Sequence, residues 1–249
     1  MDNLFIVMPA YNEAAAISQV IGKWYPLLQL GSPDSRLVIV NDGSRDDTLA
    51  ICREMTHRLD RLTVLDKANS GHGPACLTAY RYAVGQGADY IFQTDSDDQT
   101  NPDEVRRFWT NRTLYDIQIG VRRHRQDGAA RILVTKVLQL VLLLTIGVSV
   151  RDANTPFRLI SRAALVRYLN LIPPDFFLAN ALMTAIAVYR MDRVGWHDIT
   201  FKPRAAGKNS INMRRIWTIG LHSIGAFRAA GKKLRQAVRT ADSGSPDKY

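Results

Sequence analysis

The chain has little that would place it outside a reducing compartment. It holds two cysteines, Cys52 and Cys76, at no metal-binding or redox spacing, so both read as reduced thiols inside a fold. The N-terminus lacks the basic start and small-residue cleavage site of a signal peptide: Met1-Asp2-Asn3 runs straight into Leu4-Phe5-Ile6-Val7-Met8. That pattern predicts a protein that stays on the cytoplasmic side. The apolar run from Ile132 to Val150 is interrupted by Lys136 and Gln139 and falls short of the ~20 residues of a spanning helix. It predicts a non-spanning helix, buried or partly inserted at a membrane interface. No internal repeat is present. After Met8, where a dinucleotide fold would carry Gly-x-Gly-x-x-Gly, stands Pro9-Ala10-Tyr11-Asn12-Glu13. A nucleotide-dependent oxidoreductase is thereby disfavoured.

Acids are scarce at one end only. Residues 202 to 249 hold eleven Lys or Arg against Asp242 and Asp247, which accounts for most of the net charge of +10. A basic end on a nearly neutral body of enzyme size predicts an anionic partner. Within it, Ile216, Ile219, Ser223, Phe227, Ala230, Leu234 and Val238 follow helical spacing beside Arg228, Lys232, Arg235 and Arg239. That amphipathic pattern suits an anionic membrane surface, with packing against the domain as the alternative. A nucleic-acid binder would also explain the charge, but would leave the acidic cluster described next without a task. Composition assigns 240–249 to a disordered tail.

The first half alternates short apolar runs with helical patterns, predicting an α/β chain. Leu4–Met8, Leu37–Val40, Leu62–Leu65 and Tyr90–Phe92 read as strands, and 13–28, 46–59, 73–86 and 102–112 as helices. Ligands of such sheets bind beyond the carboxyl ends of the strands. This puts Pro9 to Glu13, Asn41-Asp42-Gly43-Ser44 and Asp95-Ser96-Asp97 on one rim. Asp95 and Asp97, one residue apart after a strand, can both turn toward one hard cation, Mg2+ or Mn2+, which would bridge them to a diphosphate.

Taken in order, Met8-Pro9-Ala10-Tyr11-Asn12-Glu13, Val40-Asn41-Asp42-Gly43-Ser44 with Asp46-Asp47-Thr48, Asn69-Ser70-Gly71-His72-Gly73-Pro74-Ala75 and Asp95-Ser96-Asp97-Asp98-Gln99 resemble the family 2 glycosyltransferases. The resemblance implies a GT-A fold over residues 1–210: a Rossmann-like, mostly parallel nucleotide-binding sheet flanked by helices. Residues 211–249 would form a C-terminal amphipathic helical extension and tail. It also implies that Pro9, Tyr11, Glu13, Asp42 and Asp95 bind the nucleotide-sugar donor, and that Asp95, Asp97 and Gln99 hold the metal.

Gly120-Val121-Arg122, Arg131, the segment Asp152 to Leu159 and the segment Phe201 to Ser210 look like the polyprenyl-phosphate branch of that family. That likeness implies a donor contact for Arg122 and an acceptor-phosphate site at Arg131 and Ser210. It gives catalytic roles to Asp97, Arg204 and Lys208, with Asp152 orienting the acceptor. Asn154-Thr155-Pro156-Phe157 departs from the small-residue-Gly-Phe of that branch. A Glu-Asp pair in the 170s, where transferases to sugar hydroxyls keep a base, is replaced by a lone Asp175. A phosphate nucleophile, already anionic near neutral pH, needs no such base. The expected reaction is inverting transfer of a hexose from a UDP- or GDP-sugar to a lipid phosphate, and the alternative is transfer to a saccharide hydroxyl in cell-surface polysaccharide synthesis.

Overall fold

The computed structural model describes residues 1–122, 129–202 and 224–237, with 129–133 known by backbone alone. In chain order the strands are β1 (Leu4–Ala10), β2 (Arg36–Asp42), β3 (Leu62–Lys67), β4 (Tyr90–Thr94), β5 (Ile117–Arg122), β6 (Phe157–Ser161) and β7 (Val194–Ile199). The helices are α1 (Ile17–Trp24), α2 (Thr48–Thr56), α3 (His72–Gly85), α4 (Val105–Thr110), α5 (Ala129–Thr145), α6 (Arg162–Leu169) and α7 (Ala179–Tyr189). A further helix, α8, covers 224–237.

The strands form one sheet in the order β3-β2-β1-β4-β6-β5-β7, parallel except for β6, which runs against both β4 and β5. β1 is buried along its whole length. A parallel strand covered on both faces reads as a continuous apolar run, which is why it was legible. Its side chains nevertheless alternate: Leu4, Ile6 and Met8 enter the core under α1 and α4, while Phe5 and Val7 enter the core under α3 and α5 to α8. α1 buries Ile17, Val20, Ile21 and Trp24, spaced as one helical face requires.

Helix boundaries depart from the expected ones for local reasons. Residues 13–16 are taken up by a turn in which the Glu13 carbonyl accepts from Ala16 and Ile17, and Tyr25–Leu30, containing Pro26, tightens into 3-10 geometry. The 102–112 segment is a short 3-10 turn (Pro102–Glu104) leading into α4, with the Asn101 side chain accepting from Asp103 N at the start. α5 stops at Thr145 instead of reaching Val150, because Gly147 adopts φ +89° and donates back to the carbonyls of Leu142 and Leu143. Among the described residues, no helix is long and apolar enough to cross a membrane.

The described part of the C-terminal helix packs its apolar side against the domain. Phe227, Ala230 and Leu234 are buried in the larger core, and the Phe227 ring lies 5.4 Å from Phe176. Residues 203–223 and 238–249 lie outside the description, and with them Arg204, Lys208, Ser210, the remainder of the predicted amphipathic stripe and the predicted tail.

Candidate active site

β1 has β2 on one side and β4 on the other, so chain direction along the sheet reverses at β1 and the carboxyl ends of all three strands open on one crevice. Hydrogen bonds lock the loops there together. Asn12 N donates to Ser44 Oγ (3.0 Å), Arg45 N to Asn12 Oδ1 (2.8 Å), and Glu13 N to Thr48 Oγ1 (2.8 Å). Ser96 Oγ donates to the Pro9 carbonyl (2.9 Å), tying the β4 turn to the β1 end. Pro9 is buried, Tyr11 is exposed and Glu13 lies between. The three polar clusters are therefore neighbours, as expected.

Asp42, at the end of β2, is buried and fully engaged. Its carboxylate accepts from Lys67 Nζ (2.6 Å), Ser70 N (3.0 Å) and Gly71 N (2.8 Å). It thereby shapes the Asn69–Gly71 turn that starts α3. Glycine is needed at Gly43, where φ is +67° and an added Cβ would lie 2.7 Å from Asn69 N.

Asp95 and Asp97 stand on the turn after β4, both partly exposed. Asp97 Oδ1 accepts from Gln99 N (3.2 Å), and Asp95 Oδ1 meets Gln93 Nε2 (3.2 Å) and His72 Nε2 (3.0 Å). Sequence reading quoted His72 only within the Asn69–Ala75 motif and gave it no role of its own; a histidine at the first residue of the helix facing the acidic turn was the available signal. The Cys76 sulfur one helical turn away, joined by the Asp95 carboxylate, raises the His72 pKa well above the ordinary histidine value. Behind Asp95 a buried polar chain runs from Tyr80 OH to Asn180 Oδ1 (3.1 Å), from Asn180 Nδ2 to Gln93 Oε1 (2.9 Å), and on to Asp95. Such a chain fixes the carboxylate's position through groups that have no alternative partner in water.

Gln99 is buried, and its Nε2 donates to the Lys202 carbonyl (2.8 Å) while Lys202 N donates to Gln99 O (2.7 Å). The segment leading toward Arg204 is thus clasped to the acidic turn, leaving the Gln99 amide oxygen as the atom able to face a cation. Among the described residues, no group of three His, Cys, Asp or Glu side chains would hold a metal unaided. Two carboxylates and one amide oxygen are hard donors of the kind that would hold Mg2+ or Mn2+.

Arg122, at the end of β5, forms a two-pronged pair with Asp152: Nε to Oδ2 and Nη2 to Oδ1, each 2.9 Å. Both side chains are nearly buried, and the guanidinium carbon sits 5.2 Å from the centre of the Phe201 ring. Phe201 is bridged to Thr100, so the pair is joined to the acidic turn. Asp152 therefore meets an arginine that the motif reading placed in a separate role. Arg131 lies on α5, its side chain outside the description.

Comparison with known proteins agrees with this geometry. The model of the family described as glycosyl transferase family 2 matches residues 5–169. An undecaprenyl-phosphate 4-deoxy-4-formamido-L-arabinose transferase of Pseudomonas fluorescens is 28% identical over 163 residues, covering 64% of this chain and 47% of its own length. Its counterpart in Shewanella sediminis is 27% identical over 161 residues, covering 64% and 48%. The chain spans about half the length of these relatives. Among solved structures, glucosyl-3-phosphoglycerate synthase of Mycobacterium tuberculosis, in complex with Mn2+, UDP and glucosyl-3-phosphoglycerate, superposes with a TM-score of 0.67. That match has 18% identity and covers 93% of this chain and 80% of the other. The sheet order, the crevice at β1 and the acidic turn after β4 are those of a GT-A fold, and the chain belongs to glycosyl transferase family 2.

Proposed function

We propose that this glycosyltransferase moves a hexose from a UDP- or GDP-sugar to a polyprenyl phosphate with inversion. The observation that carries the reading is the pairing of the Asp95–Asp97 turn with a nearly buried, carboxylate-held arginine across Phe201. A cation site beside a fixed guanidinium suits a reaction in which donor and acceptor both bring phosphate. The undecaprenyl-phosphate substrate named for the curated relatives supports the acceptor class.

In this reading the Asn12–Ser44–Thr48 web and Tyr11 form the nucleoside side of the crevice. Asp95 and Asp97 face the diphosphate. Bound between them, Mg2+ or Mn2+ would supply Lewis-acid stabilisation of the leaving nucleoside diphosphate. An acceptor phosphate oxygen forms the new bond to the anomeric carbon from the opposite face as the bond to the diphosphate breaks. Arg122, aimed by Asp152, meets the phosphate charge, which makes Asp152 a positioning residue. Arg131, Arg204, Lys208 and Ser210 complete the acceptor-phosphate side by resemblance.

The test offers the protein a panel of nucleotide sugars with polyprenyl phosphate and Mn2+. A labelled hexose that extracts into organic solvent is expected; label recovered only in a water-soluble saccharide overturns the acceptor assignment. Asp97→Ala should lower turnover by about 10³-fold or more, the scale of a lost charge-stabilising group, with an unchanged melting curve. Full activity in that variant would remove the metal assignment.

A further inference from the structure

α5 is unlike the other helices of the sheet: it turns an apolar stripe outward. Val137, Leu140, Leu143 and Leu144 are 47%, 54%, 49% and 75% exposed, while Leu142 on the opposite face is buried and Leu138 and Val141 pack against the core. Positions 137, 140 and 144 lie on one helical face, so these are one contiguous surface. Such a row is costly in water unless something apolar covers it.

The neighbouring helix indicates what that is. α8 crosses the C-terminal end of α5, where an added Cβ at Gly231 would lie 2.9 Å from the Thr145 carbonyl and Arg235 Nη1 reaches the same oxygen at 3.4 Å. With its apolar side spent on the core, α8 exposes Arg228, Lys232, Lys233 and Arg235. Neither α5 nor α8 carries an acidic residue, and Lys136 on α5 is exposed as well. Two copies meeting through this face would bring like charges together. An apolar strip whose own helix and neighbouring helix expose, among their described residues, cations and no acids matches an anionic lipid surface.

We propose that α5 and α8 form a two-part membrane-docking face, in which the α5 leucines enter the interface and the α8 cations engage anionic headgroups. The two tasks that an amphipathic helix usually combines are divided between two helices. The inference deepens the lipid-acceptor reading and gives it a direction. Gln139 of α5 donates to the carbonyls of Val150 (3.0 Å) and Arg151 (2.9 Å), immediately before the Asp152 that grips Arg122. The docking helix is thus joined to the phosphate-binding side of the crevice.

Co-sedimentation with vesicles free of any prenyl lipid separates this proposal from the choice of acceptor. The full chain should bind phosphatidylglycerol-containing vesicles and bind pure phosphatidylcholine much more weakly. Leu140→Gln/Leu144→Gln should weaken vesicle binding at least ~10-fold, on the scale of two lost leucine burials. Lys232→Gln/Lys233→Gln should weaken binding to the anionic vesicles by about 25-fold, near fivefold per cation. Both variants should transfer to a short, water-soluble prenyl phosphate as the parent does. Parent protein that ignores acceptor-free vesicles, or leucine variants that bind like the parent, overturns the proposal. So does a leucine variant that changes only the sedimentation coefficient, since the stripe would then cover a second copy. Vesicle binding as expected without transfer to any prenyl phosphate refutes the acceptor reading and leaves the docking face in place.

Discussion

Arg122 and Asp152 show how much a residue's role depends on its partner. Sequence separates them by a helix and a loop, and each resembles a family position with its own task. In space they share two hydrogen bonds of 2.9 Å with almost no solvent. Removing one member of such a nearly buried pair deprives the other of two charge-assisted hydrogen bonds. Arg122→Ala and Asp152→Asn should therefore each lower kcat/KM by about 10²–10³-fold, and the double variant should be no worse than the poorer single one. A kinetic double-mutant cycle measures this. Additive losses would mean that Asp152 touches the acceptor by itself.

At the scale of elements, the start of α3 is held by contact and not by capping. Its N-terminal neighbour Gly71 has φ +95°, and no side chain caps the helix. An added Cβ at Gly73 would lie 2.3 Å from the Phe176 carbonyl and 2.2 Å from that of Phe177. Gly73→Ala must push backbone against backbone, and should destabilise by about 2–4 kcal/mol, beyond a usual overpacking cost. Urea denaturation would show it; a midpoint like the parent's would mean that the 176–177 segment yields freely. The same elements mark the limits of sequence reading. β1 to β4 were legible because each is an apolar run followed by a polar turn, β3 included although it lies at the sheet edge with only Leu62 buried. β6 was not, since Arg158, its second residue, looks like surface. Its guanidinium is buried and satisfied by the carbonyls of Thr155 and Asn180, a solution that no local pattern announces. β7 hid for a similar reason: His197 and Asp198 interrupt its apolar character, and His197 Nε2 is held by Gln118 across the sheet. The rim itself was legible because each loop follows a strand. His72 and the Tyr80–Asn180–Gln93 chain were not, because their meaning lies in contacts between distant segments.

For the whole molecule, the described helix of the basic end is part of the body. α8 contributes Phe227, Ala230 and Leu234 to the core shared with α3 and α5 to α7. Ending the chain before residue 224 would uncover that core. Losing the burial of Phe227 and Leu234 costs about 3–6 kcal/mol. At a few degrees per kcal/mol for a chain of this size, the melting temperature should fall by roughly 10 °C or more. A thermal melt of the truncated chain checks this, and an unchanged midpoint would show that the core closes without α8. The sheet order carries a consequence in time. β3, β2, β1 and β4 are all present on the chain once Thr94 has been made, and their pairings are all parallel, β1 with β2 and β2 with β3 near in sequence and β1 with β4 far apart, Leu4 against Tyr90. The far edge of β4 finds its partner only when Phe157–Ser161 emerges, and β5 waits for the same strand and for β7. During synthesis, the strand that carries the acidic turn is therefore an open edge until β6 has been made and closes it.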